Sequence, residues 1–198
     1  MANQTGNPAA QVVTIETLAP ERIAELRDLI RDVPGFPHDP IVFKDITPLI
    51  ADAEGFRDVI AAFAKRCGEP NGLKVDVVAG MEARGFILGA ALAVELGVGF
   101  IPLRKAGKLP PPVDRVAYDL EYGHAAMELS KGTIKPGASV LIVDDVLATG
   151  GTARAAAELV ESAGAKVAAL LFLLELVGLG GGEKLTGYPV ETILKVAA

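Results

Sequence analysis

The chain predicts an α/β fold: a mostly parallel, twisted sheet flanked by helices, with a small N-terminal cap at the sheet edge. Three observations carry this. From Val75 onward, short runs rich in Val, Ile and Leu alternate with segments of helical periodicity, a pattern that implies parallel strands joined by right-handed crossovers. The run Val140-Leu141-Ile142-Val143 is apolar at every position, as expected of a strand buried on both faces. The length of 198 residues, with 51% hydrophobic and 22% charged side chains, fits one compact domain with a sizeable core. No internal repeat and no linker divides residues 1–198.

In chain order, Met1 to Pro8 is polar and small and is expected to be disordered. A helix is predicted to begin near Pro20, a favourable first-turn residue, with Ile23, Leu26, Ile30 and Val33 on one face. Val33 to Pro40 carries three prolines and a glycine and predicts an irregular loop. Ile41 to Phe43 is short and extended. A second helix over Ala53–Cys67 presents Phe56, Val59, Ile60 and Phe63. Val75–Ala79 reads as a strand, Gly85–Leu96 as an apolar helix and Gly99–Leu103 as a strand. Arg104–Asp119 is polar and proline-bearing and predicts a long loop of the kind that carries function. Ala126–Leu129 is a further strand. Ser139–Val143 is followed by a helix over Thr152–Ala163, closed by Gly164. Val167–Leu174 and Val190–Val196 are the last strands. Met1–Pro48 would fold as the cap.

Charge and composition exclude several classes. The net charge of −6 opposes nucleic acid as an obligate partner. A single cysteine, Cys67, rules out an intrachain disulfide and suits a reducing compartment. It has no obvious histidine partner and reads as structural. His38 and His124 are too few and too isolated for a metal site. No segment reads as a signal peptide, and the longest apolar run, Val167–Leu174, is too short to span a bilayer. The expected location is the cytoplasm.

The chemistry concentrates after the motif strand. Asp144 and Asp145 stand at its carboxyl end, the edge where open α/β sheets bind ligands. Ala148-Thr149-Gly150-Gly151-Thr152 then turns into a helix. Glycines permit close backbone approach, and amides at a helix N-terminus bind anions. Adjacent carboxylates can accept from vicinal hydroxyls or lie near a metal. A ribose 5-phosphate fits both halves.

Three other segments are rich in functional groups. Gly80-Met81-Glu82-Ala83-Arg84-Gly85-Phe86 is a second strand-to-helix turn, with Arg84 as an anion donor; a capping arrangement explains Glu82 and Arg84 equally well. Arg104-Lys105-Ala106-Gly107-Lys108-Leu109-Pro110 gathers three cations around a glycine at a strand end and favours an oligophosphate. It is not a P-loop, since Pro102 and Leu109 occupy the required Gly and Ser/Thr positions. Tyr118-Asp119-Leu120-Glu121-Tyr122-Gly123 places a carboxylate beside an aromatic and a glycine, as in a lid with an acid/base group or a surface hairpin. Together these groups suit chemistry at the anomeric carbon of a phosphorylated ribose whose leaving group is pyrophosphate.

The Asp144-Asp145 to Thr152 run resembles the signature of the type I phosphoribosyltransferases. Val42-Phe43-Lys44-Asp45-Ile46-Thr47-Pro48, Glu82-Ala83-Arg84-Gly85-Phe86, Arg104 to Pro110 and Leu120-Glu121-Tyr122-Gly123, together with Glu175-Leu176, resemble the adenine-using branch of that family. The resemblance runs from about Ile23 to the C-terminus. It implies the type I phosphoribosyltransferase fold and transfer of a phosphoribosyl group from 5-phosphoribosyl 1-pyrophosphate to adenine, giving AMP and pyrophosphate. It also implies Mg²⁺ held mainly by the substrate diphosphate, with no confident side-chain ligand, and a homodimer.

By the same resemblance, Ala148, Thr149, Gly150, Gly151 and Thr152 hold the 5-phosphate, and Asp144 and Asp145 address the ribose hydroxyls. Ala83, Arg84, Arg104, Lys105 and Lys108 meet pyrophosphate. Val42, Phe43 and Lys44 belong to a base-recognising hood over residues 20–50, Lys44 through its backbone. Glu121 is the acid/base group, and Tyr122 belongs to a closing lid in a flexible loop over residues 104–125. Lys44 stands where arginine is frequent, and Pro111 and Pro112 extend the basic segment. A transferase for another purine, and a regulator that binds the sugar diphosphate without catalysis, are the competing readings. The hood and the acidic balance oppose them.

Overall fold

The computed structural model describes residues 12–67, 72–119 and 124–198. In chain order the elements are β1 (Val13–Thr14), α1 (Pro20–Asp28), β2 (Arg31–Pro34), β3 (Val42–Asp45), α2 (Thr47–Ala51), α3 (Ala53–Ala64), β4 (Val77–Met81) and α4 (Gly85–Leu96). They continue with β5 (Gly99–Lys105), β6 (Val113–Asp119), β7 (His124–Ser130), β8 (Ser139–Leu147), α5 (Gly151–Ser162), β9 (Lys166–Val177), α6 (Gly181–Lys184) and β10 (Val190–Ala197). One eight-stranded sheet has the order β1-β10-β9-β8-β4-β5-β7-β6, and β2 and β3 form a separate pair. The strands from β1 to β5 in that order pair parallel. The hairpin of β6 and β7 adds antiparallel to β5 at the far edge.

Both sheet faces are covered. On one, Ala153, Ala156, Leu159 and Val160 of α5 pack against Val140, Ile142 and Phe172 and against Met127 and Leu129 of β7. On the other, Leu26, Val59, Phe63, Leu88 and Leu92 of the remaining helices pack on Val78, Leu141, Val143 and Leu171. Successive residues of β8 therefore enter opposite cores, which is why this strand is apolar without alternation.

The strand order reverses between β4 and β8. From β4 the chain moves outward to β5, then returns to β4's other side as β8 and continues to β9 and β10. The connections that leave these two strands diverge, and a crevice opens at their carboxyl ends. Gly85 lets α4 start close to β8: a Cβ there would lie 2.6 Å from the Val143 carbonyl oxygen. The crevice is therefore narrow enough for both strand-to-helix turns to touch one ligand.

Several expectations are corrected. The first helix ends at Asp28, and Val33 belongs to β2, opposite Phe43 of β3. Its apparent helical period was overridden by hairpin pairing with the next strand, with opposite charges paired across it at Arg31–Asp45 (2.5 Å) and Asp32–Lys44 (2.8 Å). The helix expected to reach Cys67 ends at Ala64. Arg104–Asp119 is not one long loop: β5 runs to Lys105, a short turn follows, and β6 spans Val113–Asp119. The expected flexible loop over residues 104–125 is thus largely hairpin where it is described. Val116 and Tyr118 of β6 face the core, while Asp114 and Arg115 before them and the apolar Ala117 between them mask the alternation. The short elements α2 and α6 were not anticipated. Met1–Pro8 lies outside the described residues. No helix among the described residues is long and apolar enough to cross a membrane.

Candidate active site

A cleft of about 680 Å³ occupies the crevice at the ends of β4 and β8. Its floor comes from β8. After Leu147 the chain turns through Ala148, Thr149 and Gly150, which adopts φ +78°, and enters α5 at Gly151. No side chain caps α5. A helix leaves its first amides without intrahelical partners. Here those amides belong to residues that line the cleft, and the arrangement suits a phosphate. Gly181 backs the turn. A Cβ on Gly150 would collide with the Gly181 carbonyl oxygen, and one on Gly181 with that of Ala148.

Asp144 is half-buried and Asp145 is 4% exposed. Burial, and then the charge of Asp145, push the Asp144 carboxyl well above the usual carboxylate range. Burial raises Asp145 as well, and Arg84 offsets part of that rise. Arg84 Nε lies 2.8 Å from Asp145 Oδ2, close enough for an ion pair but outside hydrogen-bond geometry, so this oxygen and Arg84 Nη1 are buried without hydrogen-bond partners. The Asp145 amide donates to Asp144 Oδ1 at 2.9 Å. A sugar diol placed here would donate to Asp145 Oδ2, an acceptor that the protein leaves unsatisfied, favouring the charged carboxylate.

The opposite wall is aromatic. The Arg84 guanidinium stacks over the Phe43 ring, 4.8 Å from its centroid, and Phe36 packs edge-on against Phe43 at 5.2 Å. The hairpin of β2 and β3 holds Phe43 in place through its two cross-strand ion pairs. Asp45 also accepts from the Thr47 amide at 2.9 Å, which ties the hairpin to α2.

Glu82 organises the basic turn. Its Oε2 accepts from the Lys105 amide at 2.8 Å and from Arg104 Nε at 3.2 Å, and its Oε1 from Lys108 Nζ at 2.9 Å. Burial would raise this carboxyl, but Lys108, the Lys105 amide and Arg104 outweigh it and bring it down to about 2. On the turn's other side, Glu128 accepts from the Gly107 amide at 2.8 Å.

The cleft gathers Phe43, Ala83, Arg84, Lys105, Asp144, Asp145 and Ala148 through Thr152, all anticipated as binding residues. Arg104 and Lys108 reach it through Glu82, itself a lining residue. Val42 supports Phe43 from the same strand. The Lys44 side chain points away, to Asp32, and lines a second cavity with Arg27 and Lys195. Glu121 and Tyr122 lie outside the described residues; Tyr118 and Ala125, on either side of them, line the cleft. Among the residues missed from sequence are Met81, Tyr118, Val146 and Phe172 of the lining, Gly181 behind it, and the hold of Glu82 on the basic turn. The Glu82 signal was present, one residue past an apolar strand and followed by Arg84, but its partners are more than twenty residues away. Cys67 stands outside the cleft, and burial pushes its thiol up to about 11, which disfavours the thiolate that a nucleophile needs. No group of three or more His, Cys, Asp or Glu side chains poised for a metal occurs among the described residues.

The sequence matches the phosphoribosyl transferase domain family over residues 49–183. It is 55% identical over 169 residues to the adenine phosphoribosyltransferase of Clostridium perfringens, covering 85% of this chain and 96% of that one. Its fold is similar to that of the adenine phosphoribosyltransferase of Thermoanaerobacter pseudethanolicus, with a TM-score of 0.84, 47% identity, and coverage of 88% of this chain and 99% of that one. The Saccharomyces cerevisiae adenine phosphoribosyltransferase, complexed with D-2,5-dideoxy-2,5-imino-altritol 1,6-bisphosphate and adenine, matches with a TM-score of 0.84 at 41% identity, over 89% of this chain and 100% of that one.

Proposed function

The chain belongs to the adenine phosphoribosyltransferases, and from that membership we propose that its cleft transfers the phosphoribosyl group of 5-phosphoribosyl 1-pyrophosphate to adenine, giving AMP and pyrophosphate for purine salvage. The observation that supports this best is the meeting of the two strand-to-helix turns. An uncapped helix start and the Asp144–Asp145 pair of β8, with Asp145 Oδ2 lacking a hydrogen-bond partner, face an Arg84–Phe43 wall from the β4–α4 connection and the hairpin.

In this reading Ala148 to Thr152 bind the 5-phosphate, and Asp144 and Asp145 accept from the ribose hydroxyls. Residues 20–50 form the hood. Val42 and Lys44 contribute through their strand's backbone, whose donors and acceptors suit a purine edge, and Phe43 offers the stacking face. Arg84 stacks on Phe43 through a flat guanidinium, and a purine ring could take the same face. Arg104, Lys105 and Lys108 neutralise charge on the departing pyrophosphate. Glu121 exchanges a proton with the base, and Tyr122 helps exclude water that would hydrolyse the activated ribose.

Carboxylate oxygens suit Mg²⁺ as hard donors, and Asp145 Oδ2 has no hydrogen-bond partner. Asp144 and Asp145 are therefore the residues that would contact the ion, which would be held mainly by the substrate diphosphate. Bound there, Mg²⁺ would neutralise negative charge on the leaving group.

The assembly is a homodimer in this reading. Ile87 and Val94 form an exposed apolar stripe on the outer face of α4, a helix preceded by Arg84 of the cleft.

Pyrophosphate release with a panel of purines, orotate and uracil tests the activity: turnover is expected with adenine. Turnover confined to another base would reassign the substrate, and none with any base would leave a binding protein. Lys108→Ala and Arg104→Ala are expected to weaken 5-phosphoribosyl 1-pyrophosphate far more than adenine. Equal loss of both in direct binding measurements would remove the basic turn from the diphosphate site.

A further inference from the structure

We infer that Glu82 competes with pyrophosphate for the donors of the basic turn and so lowers the affinity of the cleft for this product. The inference rests on the proposed role of Arg104, Lys105 and Lys108. Glu82 sits in the connection between β4 and α4, and its side chain is 10% exposed. It lines the cleft, yet its two oxygens are directed at the groups a diphosphate needs: Lys108 Nζ at 2.9 Å, Arg104 Nε at 3.2 Å and the Lys105 amide at 2.8 Å.

A carboxylate and a phosphate accept from the same donors. The Lys105 amide has a single hydrogen, so it can serve Glu82 or a phosphate oxygen well, but not both. Lys108 and Arg104 have further N–H groups, but their charge is already partly neutralised by Glu82. A diphosphate entering this turn meets a fixed anion that holds its cations. The same contacts pre-shape the turn, so Glu82 is a positioning residue that also sets an upper limit on product affinity. A site without this acid would bind pyrophosphate more tightly and release it more slowly.

Glu128 provides an internal comparison. It also grips the turn, through the Gly107 amide at 2.8 Å, and pairs with Arg115 at 3.9 Å, but it does not line the cleft. A purely structural role would make the two acids equivalent.

Titration calorimetry with magnesium pyrophosphate on the full chain tests this. Glu82→Gln keeps the shape and one acceptor oxygen and removes the charge. It is expected to bind pyrophosphate about five- to tenfold more tightly at low salt, with the gain shrinking as salt rises. Its inhibition constant for pyrophosphate in turnover is expected to fall in parallel. Glu128→Gln is expected to show no gain. Unchanged or weaker pyrophosphate binding in Glu82→Gln, or an equal gain in Glu128→Gln, would overturn the inference. Lys108→Ala separates the two readings: if it weakens pyrophosphate while Glu82→Gln fails to tighten it, the diphosphate site stands and the competition does not. If Lys108→Ala has no effect, the diphosphate site itself is misplaced.

Discussion

Glu121→Gln is expected to reduce kcat by about a hundred- to ten-thousandfold, the range typical of a lost general acid or base, with adenine and 5-phosphoribosyl 1-pyrophosphate bound at close to normal affinity. Glutamine keeps the side-chain shape and one acceptor but cannot exchange a proton with the base. The residues that bracket its segment, Tyr118 and Ala125, belong to the last pairs of the β6–β7 hairpin and line the cleft. A loss confined to kcat marks a group that acts in the transition state. A structural acid would instead leave turnover intact, or lower the melting temperature together with activity. Measuring kcat, direct affinities and thermal stability on the same variant separates these outcomes. Wild-type turnover would strike Glu121 from the mechanism and leave the binding cleft as described.

Gly150→Ala is expected to abolish detectable binding of 5-phosphoribosyl 1-pyrophosphate at substrate concentrations that saturate the wild type. Two costs coincide at this position. At φ +78° a Cβ opposes the following carbonyl oxygen, at about 1–2 kcal/mol. The new methyl would also collide with the Gly181 carbonyl oxygen, and overpacking of this kind adds about 1–3 kcal/mol. Relief requires displacing either α6 or the turn that carries the amides of Ala148 to Thr152. The second movement destroys the alignment on which anion binding depends. Gly132→Ala is the matched control. Its φ is +79° and no atom lies within 4 Å of the added Cβ, so it carries the backbone cost without the collision. It should lower thermal stability modestly and bind substrate normally. If Gly150→Ala retains wild-type affinity for the sugar diphosphate, the cradle is not where these residues place it.

Legibility followed the range of the forces involved. The helix at Gly85–Leu96 was readable with its bounds, because a glycine opens it and Gly97, at φ +66°, closes it. The motif strand was readable because burial on both faces leaves an unbroken apolar run, although it extends four residues beyond Val143, through the two acids to Leu147. Of the β2–β3 hairpin, only the extended character of Ile41–Phe43 was readable; β2 and its pairing were not, because each strand is four residues long and the register joins residues eight to fourteen apart. Strand β6 was hidden by the prolines before it and by Asp114, Arg115 and Ala117, which break a clean apolar–polar alternation.

The candidate site divides in the same way. By itself, the sequence determined the chemistry that depends on neighbours in the chain: the acids at the strand end, the glycine turn and the helix start, all within nine residues from Asp144 to Thr152. It also placed three cations around Gly107. The tertiary structure alone decided what those groups face. The reversal of strand order at β4 and β8 brings Arg84 to Asp145, the β2–β3 hairpin brings Phe43 to Arg84, the β4–β5 pairing brings Glu82 onto the basic turn, and the β8–β9 pairing brings Gly181 behind Gly150. Each of these contacts joins segments far apart in the chain. Their geometry is set by which strands pair and which way the connections leave them, and no local pattern of residues encodes that.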